Sequence, residues 1–386
     1  MNPFRYFQPT EIIHGRGRFA ELGAVASRYG RRALLVTVPE EPCFRGLFGR
    51  AKSHLVKAGL AAARFDGVIP NPTTDVVTRG ARAARAFRAD VIVAVGGGST
   101  MDTAKAIAVE ATHPGGAWDY LFFRPTQPTA KTLPVVAVTT TSGTGSHVTQ
   151  VAVLTHPAEK NKSALYHPLL YPRASIVDPE LMLTLPAKVT AATGFDVFAH
   201  AFESYINPGG SPYTDMMALE ALRLVSRHLP AAVKDGKDLA AREGMAWADT
   251  LAGLCIANAG VTLPHGIGMA IGGLYPHVAH GEALAVVYPA ILEYTYRSAP
   301  EKFAAVGRIL DPRLAGIKGT RAAEKASEAI QRFIKKIGMG IRLRDLRVPE
   351  AELEALARQS LVLPDYKNHP RLVTLADVEA ILDRSH

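Results

Sequence analysis

The chain has 386 residues, 48% hydrophobic and 20% charged, with two cysteines and a formal net charge of +9. That apolar content excludes intrinsic disorder and collagen-like structure, and no run reaches the roughly 18 uncharged apolar residues of a membrane-spanning helix. Cys43 and Cys255 are too few for a disulfide framework, and MNPFRYFQPTEII has no basic segment followed by an apolar one, so a cytoplasmic protein with no membrane contact is expected.

In chain order, the first elements are short β-branched runs at Ala33–Val38, Asp90–Val95, Pro134–Thr139 and Ala174–Val177. Continuous apolar runs separated by helical stretches indicate parallel strands buried on both faces, hence an α/β domain with a Rossmann-like, doubly wound sheet. The helix expected near 76–89 carries Arg79, Arg82, Arg85 and Arg88 at every third position. Without aromatic clusters or zinc-finger spacing these read as one solvated basic face, and nucleic acid is not an expected partner. From about residue 185 the strands stop. Helical segments are expected at 187–206, 212–229, 239–260, 300–311 and 320–336. The domains are therefore set at 1–182, α/β, and 183–386, all-helical.

The segment VIVAVGGGSTMDTAKAIAVEA reads as strand, glycine turn, helix. Gly96, Gly97 and Gly98 let a phosphate approach the backbone, and Ser99 falls where a helix N-cap is expected, beside the positive end of the helix dipole. A second loop, PVVAVTTTSGTGSHVT, crowds Thr139, Thr140, Thr141, Ser142, Thr144, Ser146 and Thr149 around Gly143 and Gly145. Two such loops at the carboxyl ends of two strands make a nucleotide site.

Further on, TGFDVFAHAFESY places Asp196 and His200 four residues apart on one helix face. The neighbouring residues are apolar, an expensive setting for an unpaired carboxylate. His265 in LPHGIGMAIGG and His277 or His280 in YPHVAHGEALAV offer further imidazoles near helix starts. Three imidazoles and a carboxylate suit Fe²⁺ or Zn²⁺ rather than Mg²⁺ or Ca²⁺. Glu203 and Tyr205, about one turn beyond His200, are candidates for hydrogen bonding to the ligands.

Taken together, these motifs resemble the iron-containing (group III) alcohol dehydrogenases, which share a two-domain architecture with dehydroquinate synthase. The likeness runs through PTEIIHGRGRFAELG, NPT at 71–73, GGGSTMDTAK at 96–105, TTSGTGSHVT at 140–149, AGLCIANAGVTLPHG at 252–266 and HGEALAVVYP at 280–289. NHPR at 368–371 is similar to the family's Asn-Pro-Arg segment with one residue inserted. The resemblance implies a metal held by Asp196, His200, His265 and His280, the last preferred to His277 because a glycine and a helix follow it. It implies a cofactor site at Asn71, Gly97, Gly98, Ser99, Asp102, Thr140, Thr141, Thr144, Thr149 and Lys162. The implied activity is reversible oxidation of a primary alcohol to its aldehyde with NAD, by a homodimer. The alternatives are an oxo-acid reductase or hydroxyacid–oxoacid transhydrogenase, a lyase, and a non-catalytic nucleotide-binding protein.

Three positions depart from the family pattern. His147 stands where the Thr-rich loop carries Glu, and Met269 stands where a further His follows the third ligand. At the end of the second strand, LLVTVPEE has Val38 and Pro39 in place of the acidic residue that favours NAD, which leaves NADP open.

Overall fold

The computed structural model describes residues 3–386. The chain divides into two compact units: Phe7–Leu185, and Pro186–His386 together with the N-terminal segment through Tyr6.

The first unit holds strands β1 (Glu11–His14), β2 (Arg32–Val36), β3 (Ala61–Phe65), β4 (Val91–Gly96), β5 (Val135–Thr139), β6 (Val151–His156), β7 (Asn161–Tyr166) and β8 (Ala174–Val177). Its helices are α1 (Leu22–Ala26), α2 (Leu47–Lys57), α3 (Thr74–Phe87) and α4 (Gly98–Glu110). Six strands form one sheet in the order β1-β8-β5-β4-β2-β3, and every pairing in it is parallel. Successive side chains of a strand face opposite ways, so the apolar runs feed two cores. Leu34, Val36, Ile92 and Ala94 pack with Val77, Met101, Ala104 and Ile107 of α3 and α4. Ala33, Leu35, Val91 and Val93 pack with Leu22, Val25, Phe48 and Leu55 of α1 and α2. This double burial is why the runs lack polar alternation. The arginines of α3 lie on its exposed side, as a solvated face requires.

The antiparallel β6–β7 hairpin was not anticipated, nor were edge strands β1 and β3. The Ala-rich segment of β3 has no β-branched residue and lies on the sheet's rim, so neither propensity nor a hydrophobic run marks it.

The second unit is helical among the described residues: α5 (Ala187–Ile206), α6 (Pro212–Lys234), α7 (Leu239–Ala259), α8 (Leu263–Leu274), α9 (His280–Thr295), α10 (Pro300–Leu310), α11 (Gly319–Lys336), α12 (Leu353–Ser360) and α13 (Leu375–Ser385). Helix α5 is buried along nearly its whole length and runs as the spine of the unit. No single helix is long and apolar enough to cross a membrane; α7 and α8 pass that test jointly but are bent by 101° at the break. Gly260, with φ 79°, ends α7 there. Helices α8, α9, α12 and α13 share a core around Ile267, Ile271, Val287, Leu356 and Leu382.

Candidate functional site

In the helical unit, Asp196 and His200 project from the interior of α5, His265 lies in the first turn of α8, and His280 opens α9. The close approach of α9 to α5 depends on Gly281: a Cβ there would sit 1.9 Å from the carbonyl oxygen of Ala192, one turn before Asp196. Only glycine allows that contact, and it brings the adjacent His280 alongside the carboxylate.

The four side chains converge. Asp196 Oδ1 lies 3.5 Å from His200 Nε2, 3.5 Å from His265 Nε2 and 3.9 Å from His280 Nε2. The His200 and His265 rings stack at 4.6 Å, and the His265 and His280 rings meet edge-on at 5.3 Å. These separations exceed the ~2.9 Å of an ordinary hydrogen bond. Ligand atoms about 2.1 Å from a shared ion at the tetrahedral angle stand about 3.4 Å apart, so the spacing suits donors around a cation. Asp196, His265 and His280 each offer a ligand atom, all within 4.8 Å of one another. Asp196 Oδ1 and His265 Nε2 are buried and make no hydrogen bond with any described residue. Two orphaned polar atoms facing one point fit a divalent metal. His277 lies outside this cluster, exposed, with Nε2 2.9 Å from the Leu346 carbonyl oxygen.

Burial works to raise the Asp196 carboxyl, yet the charges of His200, His280 and His265 outweigh it and hold the group down at about 2. Burial works to lower His265, and is outweighed by Glu203 and Asp196, which hold it up at about 10. The pocket is built for positive charge, whether a proton or a cation carries it.

Of the two candidates beyond His200, Glu203 is the one that reaches a ligand. It is fully buried. Its Oε1 accepts from His265 Nδ1 at 2.7 Å and from the Tyr288 hydroxyl at 3.1 Å. Its Oε2 accepts from the Thr262 N–H at 2.8 Å and the Thr262 hydroxyl at 3.2 Å. With Nδ1 donating to a carboxylate, Nε2 is the nitrogen left to give its lone pair to a metal once its own proton is displaced. Tyr205, the other candidate on this helix, instead has Lys302 Nζ over its ring at 4.8 Å.

In the α/β unit, the two loops meet. Thr140 N–H donates to the Gly96 carbonyl at 3.0 Å. A Cβ on Gly97 would lie 3.0 Å from Thr141 Oγ1, and one on Gly98 2.4 Å from Thr144 Cγ2. Helix α4 begins at Gly98 with Gly97 in the N-cap position. Ser99 is therefore not the cap expected from sequence: glycine takes the extended cap conformation, and Ser99 sits inside the first turn. The early N–H groups of that turn have no intrahelical acceptors, which suits a phosphate. The hydroxyls of Thr100 and Thr140 are buried without a hydrogen-bond partner among the described residues. A backbone cradle closed to any Cβ, lined by orphaned hydroxyls, fits a dinucleotide.

Asp102 and Thr149 turn out to hold the loop itself. Asp102 Oδ1 accepts from Ser146 Oγ at 2.7 Å and Oδ2 from the Val153 N–H at 3.2 Å. Beside it, Lys105 Nζ donates to the carbonyls of Ser146, Thr149 and Val151 at 2.7, 2.8 and 2.8 Å, with the hydroxyls of Ser146 and Thr149 also in reach. Lys105 is fully buried, and sequence reasoning passed over it although it ends the GGGSTMDTAK motif. Lys162, whose charge reaches Asp102, donates from Nζ to Asn71 Oδ1 at 2.8 Å, with Asn71 at φ 50°. His147 is fully buried, and burial first, then Lys105, pushes it down to about 3, so it stands neutral in the loop where the family pattern has an acid.

Comparisons with known proteins point to one family. The family described as iron-containing alcohol dehydrogenase matches residues 9–179, and the C-terminal region of the Fe-containing alcohol dehydrogenase family matches residues 190–386. The chain is 34% identical to the NAD-dependent methanol dehydrogenase of Bacillus methanolicus over 98% of both chains. It is 38% identical to the 1,3-propanediol dehydrogenase of Klebsiella pneumoniae over 98% of this chain and 97% of that one. Among solved structures, an archaeal halo-thermophilic alcohol dehydrogenase from a Red Sea brine pool superposes with a TM-score of 0.96 at 34% identity, covering all of both chains.

Proposed function

This chain belongs to the iron-containing alcohol dehydrogenase family, and from that premise we propose that it interconverts a primary alcohol and its aldehyde by hydride transfer with NAD(H), using one divalent metal held by Asp196, His200, His265 and His280. The observation that carries the reading is the set of three imidazole Nε2 atoms at 3.5, 3.5 and 3.9 Å from Asp196 Oδ1. The metal, Fe²⁺ or Zn²⁺, supplies Lewis-acid polarisation of the substrate oxygen, and the nicotinamide supplies the hydride carrier.

The rest is work done by the chain's own groups. Glu203 fixes the tautomer and the plane of His265 by accepting a hydrogen bond from its Nδ1–H. Tyr288 and Thr262 hold Glu203 in turn, so the orientation is set by buried contacts rather than by substrate. Phe195 and Phe198, stacked at 5.8 Å and fully buried, back the α5 face and keep water from behind the carboxylate. On the cofactor side, Gly97 and Gly98 would bind the pyrophosphate through backbone N–H groups, and Asp102 with Lys105 fixes the Thr-rich loop against α4. Met269, in α8, can neither accept nor donate the alcohol proton, so on this reading that proton leaves without help from its position.

The same reading takes the protein as a homodimer, as the family implies, and as cytoplasmic without nucleic-acid or membrane partners, in keeping with its dispersed basic residues and two unpaired cysteines. The test is elemental analysis of the purified protein coupled to a screen of NAD(H) and NADP(H) with straight-chain alcohols and aldehydes, followed near 340 nm. Stoichiometric metal and metal-dependent turnover of a primary alcohol are expected. Full activity after the metal is stripped would refute the proposal.

A further inference from the structure

The order of the α/β sheet reverses between β2 and β4: from β2 the chain moves outward to β3, and from β4 it moves the other way to β5 and β8. Ligands of doubly wound sheets lie in the crevice at the carboxyl ends of the strands where the order reverses. Val36 pairs with Ala94, which brings residues 37 and 38 level with Val95 and Gly96. With the pyrophosphate at the start of α4, the end of β2 is one strand away, about 4.8 Å. In such folds the neighbouring strand's end reads the adenosine ribose.

What stands there is a charge pair supplied by the next strand. Arg64, on β3, donates from Nε to Thr37 Oγ1 at 2.9 Å, from one terminal nitrogen to the Val38 carbonyl at 3.2 Å and from the other to Glu40 Oε2 at 3.3 Å. Its guanidinium also lies over the Phe48 ring at 4.5 Å. Glu40 Oε1 accepts in addition from the Gly46 N–H at 3.1 Å. Thr37 and Val38 position the arginine without cancelling its charge. Among the described residues Glu40 is the carboxylate that does so, and it is the more exposed partner, at 47% against 26% for Arg64. An exposed pair of this kind is held weakly and exchanges readily.

We propose that Arg64 and Glu40 together read the 2′ position of the adenosine ribose, so that the enzyme takes both NAD(H) and NADP(H). The inference rests on the dinucleotide reading of the cradle given above. With NAD(H), the Glu40 carboxylate accepts from the 2′-hydroxyl and stays paired with Arg64. With NADP(H), the 2′-phosphate replaces Glu40 at Arg64, which has two further N–H groups for a planar, charge-assisted contact. Val38 and Pro39 place no negative charge in the way.

The test uses the whole protein and four probes: NADH and NADPH by fluorescence titration, and 5′-ADP and 2′,5′-ADP by calorimetry. The wild type binds all four. Arg64→Met keeps the stem over Phe48 and is expected to weaken NADPH and 2′,5′-ADP by about 10- to 100-fold, the weight of a charge-assisted hydrogen bond, with NADH and 5′-ADP changed less than about twofold. Glu40→Gln, which leaves Arg64 in place, moves the ratio the other way, tightening NADPH and weakening NADH. A wild type that binds NADH and 5′-ADP but not 2′,5′-ADP overturns this assignment and leaves the cradle standing. Equal weakening of both cofactors by Arg64→Met also overturns it. Failure to bind any of the four removes the dinucleotide reading and this inference with it.

Discussion

Replacing Glu203 with Gln removes one charge and no volume, and the structure says where the damage falls. Four donors point at this carboxylate, two on each oxygen. An amide has one accepting arm. If its NH₂ group takes the Oε2 side, it faces the Thr262 N–H donor-to-donor across 2.8 Å. If it takes the Oε1 side, His265 must give up its Nδ1 proton and carry it on Nε2, where the metal lone pair is needed. Either outcome is costly. A buried donor left without an acceptor costs about 1–3 kcal/mol of stability. Loss of a hydrogen bond that orients a ligand typically costs 10- to 100-fold in metal affinity, about 1.4–2.7 kcal/mol. The assay is competition of Zn²⁺ or Co²⁺ between the protein and a chelator of known affinity, with the Co²⁺ absorption bands reporting ligand geometry. Thr262→Val is the control: it loses the hydroxyl contact at 3.2 Å but leaves the N–H and His265 as they are. It should lower stability by about 1 kcal/mol and change metal affinity less than threefold. If Glu203→Gln also holds the metal within threefold of wild type, or if both variants weaken it equally, Glu203 is a structural group and does not position His265.

Gly98→Ala puts a Cβ 2.4 Å from Thr144 Cγ2, so the Thr-rich loop must back away from α4; cofactor affinity should fall at least about tenfold while metal content stays at wild type, as read by NADH titration and elemental analysis. Lys105→Met leaves three carbonyls without their buried donor, a loss of about 3–5 kcal/mol in the urea-unfolding free energy, with KM for the cofactor raised more than kcat is lowered. For pH, His147 and His369 are buried and both are pushed down to about 3, chiefly by that burial. The unfolded chain takes up their protons below about 6.5 and the folded chain does not, so stability is complete above that pH and falls by about 1.4 kcal/mol per unit per histidine as pH drops towards 3. His369→Gln should lower that slope by about 1.4 kcal/mol per pH unit in urea-unfolding free energies measured at pH 6, 5 and 4.5; an unchanged slope would show that His369 is protonated in the fold.

What the sequence made legible was mostly what local periodicity encodes. The runs at 90–95 and 134–139 are apolar without alternation because both faces of the sheet are covered, and β4 and β5 follow from that. Asp196 and His200 share a face because four residues make one turn, whatever the rest of the chain does. Their convergence with His265 and His280 was a resemblance before it was a geometry, since nothing within a dozen residues of either histidine shows what it faces. Glu203 marks the limit more sharply. Its i+3 spacing from His200 is visible, but its partner lies 62 residues away, and only burial of both groups turns an ordinary helix glutamate into the group that holds an imidazole. Arg64 is invisible for the same reason: AAARF marks no element, and the meaning of its arginine comes from Thr37, Val38 and Glu40, contributed by the end of the strand beside it. The missed cap at Gly97 has a different cause. A serine after three glycines is a statistically good N-cap, but the glycines let the backbone turn two residues sooner, and the helix starts as early as sterics permit. For Glu203 and Arg64 alike, a partner set by topology rather than by spacing decides what the residue does.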